Sequence, residues 1–175
     1  EFDLHCQVNL LGVLNLLKQK TDLSAPAIYL ICPAEYPGKE SFRGMGELEN
    51  SELEFLYDNI REQLNDIDFV IAAEAWHVYI TQDAGKLRAY LERTSFWAGL
   101  HLLKPALQAQ VARLEVNEDG LNGVEQKLLA IYKSGKTSRT DIYSTFWETE
   151  KIYGMGDLQI DIYLRNLSNK GFINL

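Results

Sequence analysis

Apolar residues recur at helical spacing along most of the chain. Over residues 3–20 they lie three or four positions apart, which predicts a largely buried helix. The run Ala27–Cys32, set between Pro26 and Pro33, is short and rich in β-branched and aromatic residues, as is typical of a buried parallel strand. Because a single strand leaves its backbone groups unpaired, we expect partner strands from a segment that precedes residue 1.

From residue 51 onward the pattern is helical. Ser51-Glu52-Leu53-Glu54 fits a capping box and predicts a helix start at Ser51. Further helices are predicted over 66–80, over 83–92, and from about Pro105 to Leu114, because Pro is favoured in the first turn of a helix.

A polar turn at 117–120 divides the chain into two predicted domains, 1–116 and 117–175. In the second domain we predict three helices, which start at an Asn122–Glu125 capping box, near Ser138, and at Asp157.

The predicted fold is mainly α, with a partial α/β, Rossmann-like N-terminal part and a C-terminal winged-helix-like tri-helical unit that lacks a wing. Three helices followed by Lys170–Ile173 is the element order of a winged helix. Only five residues follow Lys170, which is too few for a hairpin wing, and the 148–156 connection is much longer than a helix-turn-helix turn.

A Gly-Met-Gly motif occurs twice, each time ahead of a predicted helix. Arg43-Gly44-Met45-Gly46-Glu47-Leu48 recurs as Tyr153-Gly154-Met155-Gly156-Asp157-Leu158. Glycine tolerates positive φ, so we expect Gly44, Gly46, Gly154 and Gly156 to shape two tight structural loops, with Asp157 fixing the second loop or capping its helix.

Composition and charge narrow the function classes. The chain has 175 residues, 46% of them hydrophobic, and a net charge of −8. Residues before 117 include 10 basic and 17 acidic side chains, and the rest include 7 and 8, so the two parts carry −7 and −1. Nucleic-acid binding depends on basic residues that neutralise phosphates, so this balance argues against it.

The cysteines and the hydropathy pattern predict a cytoplasmic protein. Cys6 and Cys32 are the only cysteines, and no Cys or His spacing matches a metal site, so we expect two buried thiols and no metal. No apolar run approaches the roughly 18 residues of a membrane span, and no signal peptide is visible in these residues.

Four stretches together resemble a bacterial family catalogued only as domains of unknown function. They are Glu-Phe-Asp-Leu-His-Cys-Gln-Val-Asn-Leu-Leu at 1–11, Phe-Arg-Gly-Met-Gly at 42–46, Asn-Gly-Val-Glu at 122–125 and Tyr-Gly-Met-Gly-Asp at 153–157. The resemblance covers nearly the whole chain and implies an additional N-terminal α/β segment. His5 stands where the family more often has an aromatic residue. The family supplies no activity, cofactor or catalytic residue.

Sheet geometry suggests a candidate site. Ligands of open parallel sheets bind where strands end, and the loop 33–50 follows the predicted strand and is long. If the first helix follows another strand of the same sheet, its first turns face that loop. The candidate ligand-binding residues are Asp3, Gln7, Asn9, Glu35 and Arg43. We expect a small, partly anionic ligand, with Arg43 making a bidentate contact.

Three function classes remain open. The leading one is an intracellular ligand-binding module or a protein-interaction module, including a homodimer. The first alternative is an enzyme acting on a small anionic substrate, with an acid-base pair among Asp3, His5, Glu35 and Glu47. The second is a nucleic-acid-associated regulator that acts through the C-terminal helices. No cofactor can be assigned from the sequence.

Overall fold

A computed structural model describes residues 1–20, 27–40, 42–95 and 97–175 and is mainly helical, as predicted. Pro26, which bounded the predicted strand, lies outside the described residues. The described helices are α1 (Leu4–Lys20), α2 (Asn50–Asn59), α3 (Asp66–Tyr79), α4 (Ala84–Arg93), α5 (Leu103–Leu114), α6 (Gly123–Lys133), α7 (Arg139–Thr149) and α8 (Asp157–Asn169). The described strands are β1 (Tyr29–Leu30) and β2 (Glu62–Gln63), and short 3₁₀ turns occupy Met45–Glu47, Ala98–Leu100 and Lys151–Tyr153.

The predicted helices form, but not every predicted cap does. The α6 cap is confirmed: Asn122 Oδ1 accepts a hydrogen bond from Glu125 N at 3.0 Å, and Glu125 Oε2 accepts one from Asn122 N at 2.9 Å. The predicted start of α2 is wrong. The helix begins one residue earlier, at Asn50, and Glu52 Oε2 accepts from Glu49 N at 2.8 Å, so Glu49 takes the capping position assigned to Ser51.

The predicted buried parallel strand is wrong in length, pairing and burial. Strand β1 has two residues and pairs antiparallel with β2, Tyr29 opposite Gln63 and Leu30 opposite Glu62. Tyr29 is 52% exposed, and the Arg61 guanidinium lies 5.6 Å from its ring centre. Ile28 and Leu30 pack against helices instead, which explains the apolar run without a buried sheet.

Two groups of buried residues form the core. The first, the α3–α5 cluster, includes Phe69, Ala72, Leu87, Tyr90 and Leu107. The second, the α6–α8 cluster, includes Leu128, Ile142, Phe146, Ile160 and Leu164. Helices α1 and α5 supply buried residues to both clusters, so these two helices lie between them.

The C-terminal helices α6, α7 and α8 follow one another in the predicted order and share the α6–α8 cluster, with α6 contacting both of the others. The α7–α8 connection contains the 3₁₀ turn Lys151–Tyr153 and the second Gly-Met-Gly motif. Among the described helices, none combines the length and apolar character that crossing a membrane requires.

Candidate functional site

The start of the chain and both glycine loops meet at one cavity of about 460 Å³, which we call the main cavity. Segments far apart in the sequence contribute to its lining: the first six residues, the first glycine loop, and the end of α7 with the second glycine loop. The lining residues are Glu1, Phe2, Asp3, His5, Cys6, Arg43, Phe146, Trp147, Glu150, Lys151, Gly154, Met155 and Gly156.

The first glycine of each motif makes room for a carboxylate from the start of the chain. Glu1 Oε1 accepts a hydrogen bond from Met45 N at 3.1 Å, and a Cβ on Gly44 would lie 2.5 Å from Cδ of Glu1. A Cβ on Gly154 would lie 2.6 Å from Cγ of Asp3. Such approaches are closer than a side-chain carbon makes, so a side chain at either position would have to displace the carboxylate.

The expectation of positive φ at the glycine loops needs correction. Gly154 has φ 60°, in the left-handed region, but neither Gly46 nor Gly156 has a positive φ. A Cβ added to Gly46 or Gly156 would meet nothing within 4 Å. Residue type alone did not distinguish the constrained glycine of each pair from the unconstrained one.

Aromatic and apolar side chains form one wall of the main cavity. Trp147 Nε1 donates to the Met155 carbonyl oxygen at 2.9 Å, which fixes the indole against the second glycine loop. Phe146 stacks on Tyr153 with ring centres 6.0 Å apart. Met155, the apolar centre of that loop, is buried. The wall is therefore held in place by contacts within the protein.

The acidic side chains of the cavity already have partners. Glu1 accepts from Met45 N, and Asp3 Oδ1 accepts from Cys6 N at 3.0 Å in the first turn of α1. Glu150 forms an ion pair with Lys127 at 3.0 Å.

The cationic side chains of the main cavity differ from the acidic ones in their partners. Among the described residues, neither the Arg43 guanidinium nor the Lys151 ammonium has a hydrogen-bond or ion-pair partner, and Glu47 accepts from the backbone N of Arg43 instead. The positive charge that remains available at the cavity therefore belongs to Arg43 and Lys151.

The structure brings together only some of the predicted ligand-binding residues. Asp3, which is 7% exposed, and Arg43, which is exposed, both line the main cavity. Gln7 is 2% exposed and donates to the Glu1 carbonyl oxygen at 2.8 Å and to Cys32 Sγ at 3.2 Å, so it connects α1 to the loop after β1. Asn9 and Glu35 are exposed and do not contribute to the main cavity.

The residues that the end of α7 contributes to the main cavity were not predicted from the sequence. Phe146, Trp147, Glu150 and Lys151 lie more than a hundred positions from Arg43, and nothing in their own pattern distinguishes them from core and surface positions. The repeated Gly-Met-Gly motif was the one signal that connected the two regions. Asp157, expected to fix the second loop, is exposed, and its Oδ1 accepts from Leu158 N at 2.8 Å.

A group of residues with metal-ligating side chains lies at the N-terminus of α1. Glu1, Asp3 and Cys6 place their ligand atoms within 4.8 Å of one another. Burial and a hydrogen bond to Asp3 raise the pKa of the Cys6 thiol to about 12, so the thiol is protonated at neutral pH. A cation would have to displace that proton, and the thiol is not an activated nucleophile.

A second cavity, of about 420 Å³, adjoins the loop 33–50, where the sequence predicted the polar pocket. Its lining is mostly apolar, with two carboxylates and no cationic residue. The residues are Ile31, Met45, Leu53, Glu54, Leu56, Tyr57 and Asp58. Among the described residues that line it, this cavity has no cationic donor for an anionic ligand, whereas the main cavity has two.

Comparison of the chain with protein-family models, with curated proteins and with solved structures gives no match. The geometry of the main cavity therefore carries the functional inference.

Proposed function

We propose that the protein binds a small organic ligand that has an apolar body and an anionic group, in the main cavity. The observation that carries this proposal is that one cavity combines a fixed aromatic wall with two cationic side chains that have no partner in the described part of the chain. Trp147 and Phe146 contribute the wall, and Arg43 and Lys151 contribute the cations.

The size and lining of the cavity suit such a ligand. Small-molecule sites commonly measure about 300–1,000 Å³ and combine a mostly apolar lining with a few polar groups that fix orientation. At about 460 Å³ the main cavity falls within this range. Its apolar residues come from the start of the chain, the end of α7 and the second glycine loop, and its polar residues come from several separate segments.

The charged side chains of the main cavity favour an anionic ligand over a cationic one. Because Glu1, Asp3 and Glu150 are each engaged by protein groups, a cationic ligand would have to compete with those contacts. An anionic group would instead gain partners that are free. The planar fork of Arg43 can donate two parallel hydrogen bonds to a carboxylate or phosphate, and Lys151 adds a point charge.

Isothermal titration calorimetry with carboxylates, sugar phosphates and nucleotides tests the proposal. For the compound that binds, we expect Arg43→Ala and Lys151→Ala each to weaken the affinity about tenfold or more, as is usual for the loss of a charged hydrogen bond. Because Arg43 is exposed, its removal should change the free energy of unfolding by less than about 0.5 kcal/mol.

Arg165→Ala is the matched control, because Arg165 is an exposed arginine on α8 that does not line the main cavity. We expect its affinity to equal that of the unmodified protein. Absence of binding by all three compound classes, or an affinity that Arg43→Ala and Lys151→Ala leave unchanged, would refute the proposal.

A further inference from the structure

A smaller cavity of about 50 Å³ adjoins the main cavity, and we call it the side cavity. Its lining comes from α1, α3, α5, α8 and the second glycine loop. The residues are Leu4, His5, Val8, Tyr79, Arg113, Tyr153, Met155 and Gln159. His5 and Met155 line both cavities, so the two are neighbours.

Arg113 lines the side cavity, and one edge of its guanidinium has no hydrogen-bond partner among the described residues. Its Nη1 donates to Gln110 Oε1 at 3.3 Å, and Gln110 is itself buried on α5. Its Nε is buried and has no hydrogen-bond partner. The Nε and Nη2 atoms form the edge of the fork that donates two parallel hydrogen bonds to a carboxylate. A buried donor without an acceptor costs free energy, which a bound anion would recover.

Tyr153 adds a second unpartnered donor. It is 6% exposed, its ring is stacked on Phe146, and within the described part of the chain its hydroxyl makes no hydrogen bond. Burial, with a contribution from the charge of Glu150, raises the pKa of Tyr153, so the hydroxyl keeps its proton at neutral pH. A neutral phenol can donate to an anion.

The remaining polar groups of the side cavity are also suited to an anion. Gln159 Oε1 accepts from Gly156 N at 2.9 Å, which leaves its amide NH₂ as a donor. His5 contributes a ring nitrogen. Among the described residues that line the side cavity, none is an aspartate or a glutamate. The nearby Glu150 is paired with Lys127.

We propose that the side cavity is a carboxylate-binding subsite in which Arg113 and Tyr153 hold the carboxylate oxygens. By the same measure of volume a water molecule needs about 10–15 Å³, so the space admits a group of about three to five atoms and not a whole metabolite. The inference rests on the proposed function, because the apolar body of the ligand would occupy the main cavity. The ligand class is then a small dianion, whose apolar body carries one anionic group for Arg43 and Lys151 and a carboxylate for the side cavity.

A titration with sodium acetate, followed through the Nε–Hε resonances of the arginines in ¹H–¹⁵N spectra, tests the subsite directly. Sodium chloride at the same ionic strength is the reference. We expect the Arg113 resonance to shift saturably with acetate and not with chloride, since acetate alone offers two oxygens to the fork. Absence of a saturable shift, or the same shift with chloride, would overturn the proposal.

Tyr153→Phe removes one hydroxyl and keeps the ring that stacks on Phe146, so the fold should persist. We expect it to weaken acetate binding about tenfold, the usual effect of losing a hydrogen bond to a charged group. Tyr163→Phe is the control, because it removes a hydroxyl from the same cluster outside the side cavity. Equal acetate affinity for both variants would contradict the role of Tyr153.

Terephthalate, an aryl dicarboxylate, separates this inference from the proposed function, because it offers one carboxylate to each cavity. Binding that depends on Arg43 but leaves the Arg113 resonance unmoved would overturn the subsite and support the proposed function. An acetate response at Arg113, with no gain in affinity for terephthalate and no effect of Arg43→Ala, would support the subsite and refute the proposed function. A larger affinity for terephthalate than for acetate, weakened by Arg43→Ala and accompanied by a shift of the Arg113 resonance, supports both.

Discussion

Gly154 has a left-handed backbone conformation and is closely approached by Asp3, so a side chain at this position would destabilise the fold for two reasons. We expect Gly154→Ala to lower the free energy of unfolding by about 2 kcal/mol or more, from backbone strain together with displacement of Asp3. Urea denaturation measures this loss. Gly46→Ala is the matched control, because Gly46 lacks positive φ and has open space around it, and its effect should stay within about 0.5 kcal/mol.

A comparable loss of stability in both variants would show that the first and second glycines of the motif are equally constrained, contrary to the structure. The two glycine loops also show how much of a loop's conformation can be predicted from residue type alone. The motif identified both loops, but the conformation of each glycine depends on which group packs against it. The groups are Glu1 and Asp3. The sequence predicted Asp3 beside the first loop, but it connected neither Glu1 to Gly44 nor Asp3 to the second loop.

Individual polar residues show the same limit. Asp3 and Arg43 were predicted as site residues because one begins α1 and the other lies in a long loop, and the fold does place both at the main cavity. Gln7 was chosen for the same reason but is buried among backbone and sulfur partners. The register of a helix against its neighbours decides between these outcomes, and one sequence does not determine it.

At the level of elements, helices α7 and α8 are joined by Asp161, whose carboxylate accepts from both the Tyr143 hydroxyl and the Arg139 guanidinium. The hydrogen bond from Tyr143, assisted by the charge of Arg139, lowers the pKa of Asp161 from its ordinary value of 3.8. A carboxyl whose pKa is lower in the folded state stabilises the fold above its unfolded pKa. This contribution is lost as the pH falls through the folded value.

Asp161→Asn should therefore reduce the free energy of unfolding at neutral pH, and the difference from the unmodified protein should shrink as the pH falls below about 3.8. Urea unfolding at a series of pH values measures it. Glu148→Gln on α7 is the control, because Glu148 is exposed and has no ion-pair partner among the described residues, and it should show a much smaller pH-dependent difference. A difference for Asp161→Asn that stays constant down to the acid limit would contradict the assignment.

The helices could be predicted because their signals are local. Apolar spacing, together with the capping box at Asn122, places these helix starts within about two residues of those observed. The sheet could not be predicted. Strand β2 consists of Glu62 and Gln63, both exposed, and such a pair carries neither alternation nor β-branched residues. The apolar run around β1 therefore suggested a larger parallel sheet, whereas its side chains pack on helices.

At the level of the whole molecule, α1 passes between the two core clusters. Leu4 is buried in the α6–α8 cluster and Leu11 in the α3–α5 cluster. We expect Leu4→Ala and Leu11→Ala each to cost about 2–5 kcal/mol, because each removes a large side chain from a close-packed interior. Because α1 belongs to both clusters, the destabilisation caused by each substitution should be transmitted through α1 to both of them.

Native-state hydrogen exchange measures that transmission. In each variant, the slowest amides of α3 and of α8 should lose protection by similar amounts, because opening either cluster exposes α1. Leu158→Ala is the control, since Leu158 is exposed on α8 and its truncation should leave both helices unchanged. Loss of protection confined to α8 in the Leu4 variant, and to α3 in the Leu11 variant, would show that the clusters open independently.

The main cavity is a property of the whole molecule and was accordingly the least predictable part. Its lining joins residues 1–6, Arg43 and residues 146–156, and the packing of α1 between the two clusters creates that proximity. The repeated motif indicated that the two glycine loops are similar. The residues of the aromatic wall, however, have the helical spacing of apolar residues that usually indicates a buried core, so the sequence did not predict a cavity wall.

The position of Trp147 gives the molecule an optical reporter of its own. Of the three tryptophans, Trp76 and Trp97 belong to the α3–α5 cluster, whereas Trp147 faces the main cavity with its N–H held by the Met155 carbonyl. A molecule entering the cavity would change the solvation of one indole face and leave that hydrogen bond intact. Intrinsic tryptophan fluorescence therefore has one component, from Trp147, that changes when the main cavity is occupied. The other two components, from Trp76 and Trp97, change when the α3–α5 cluster unfolds.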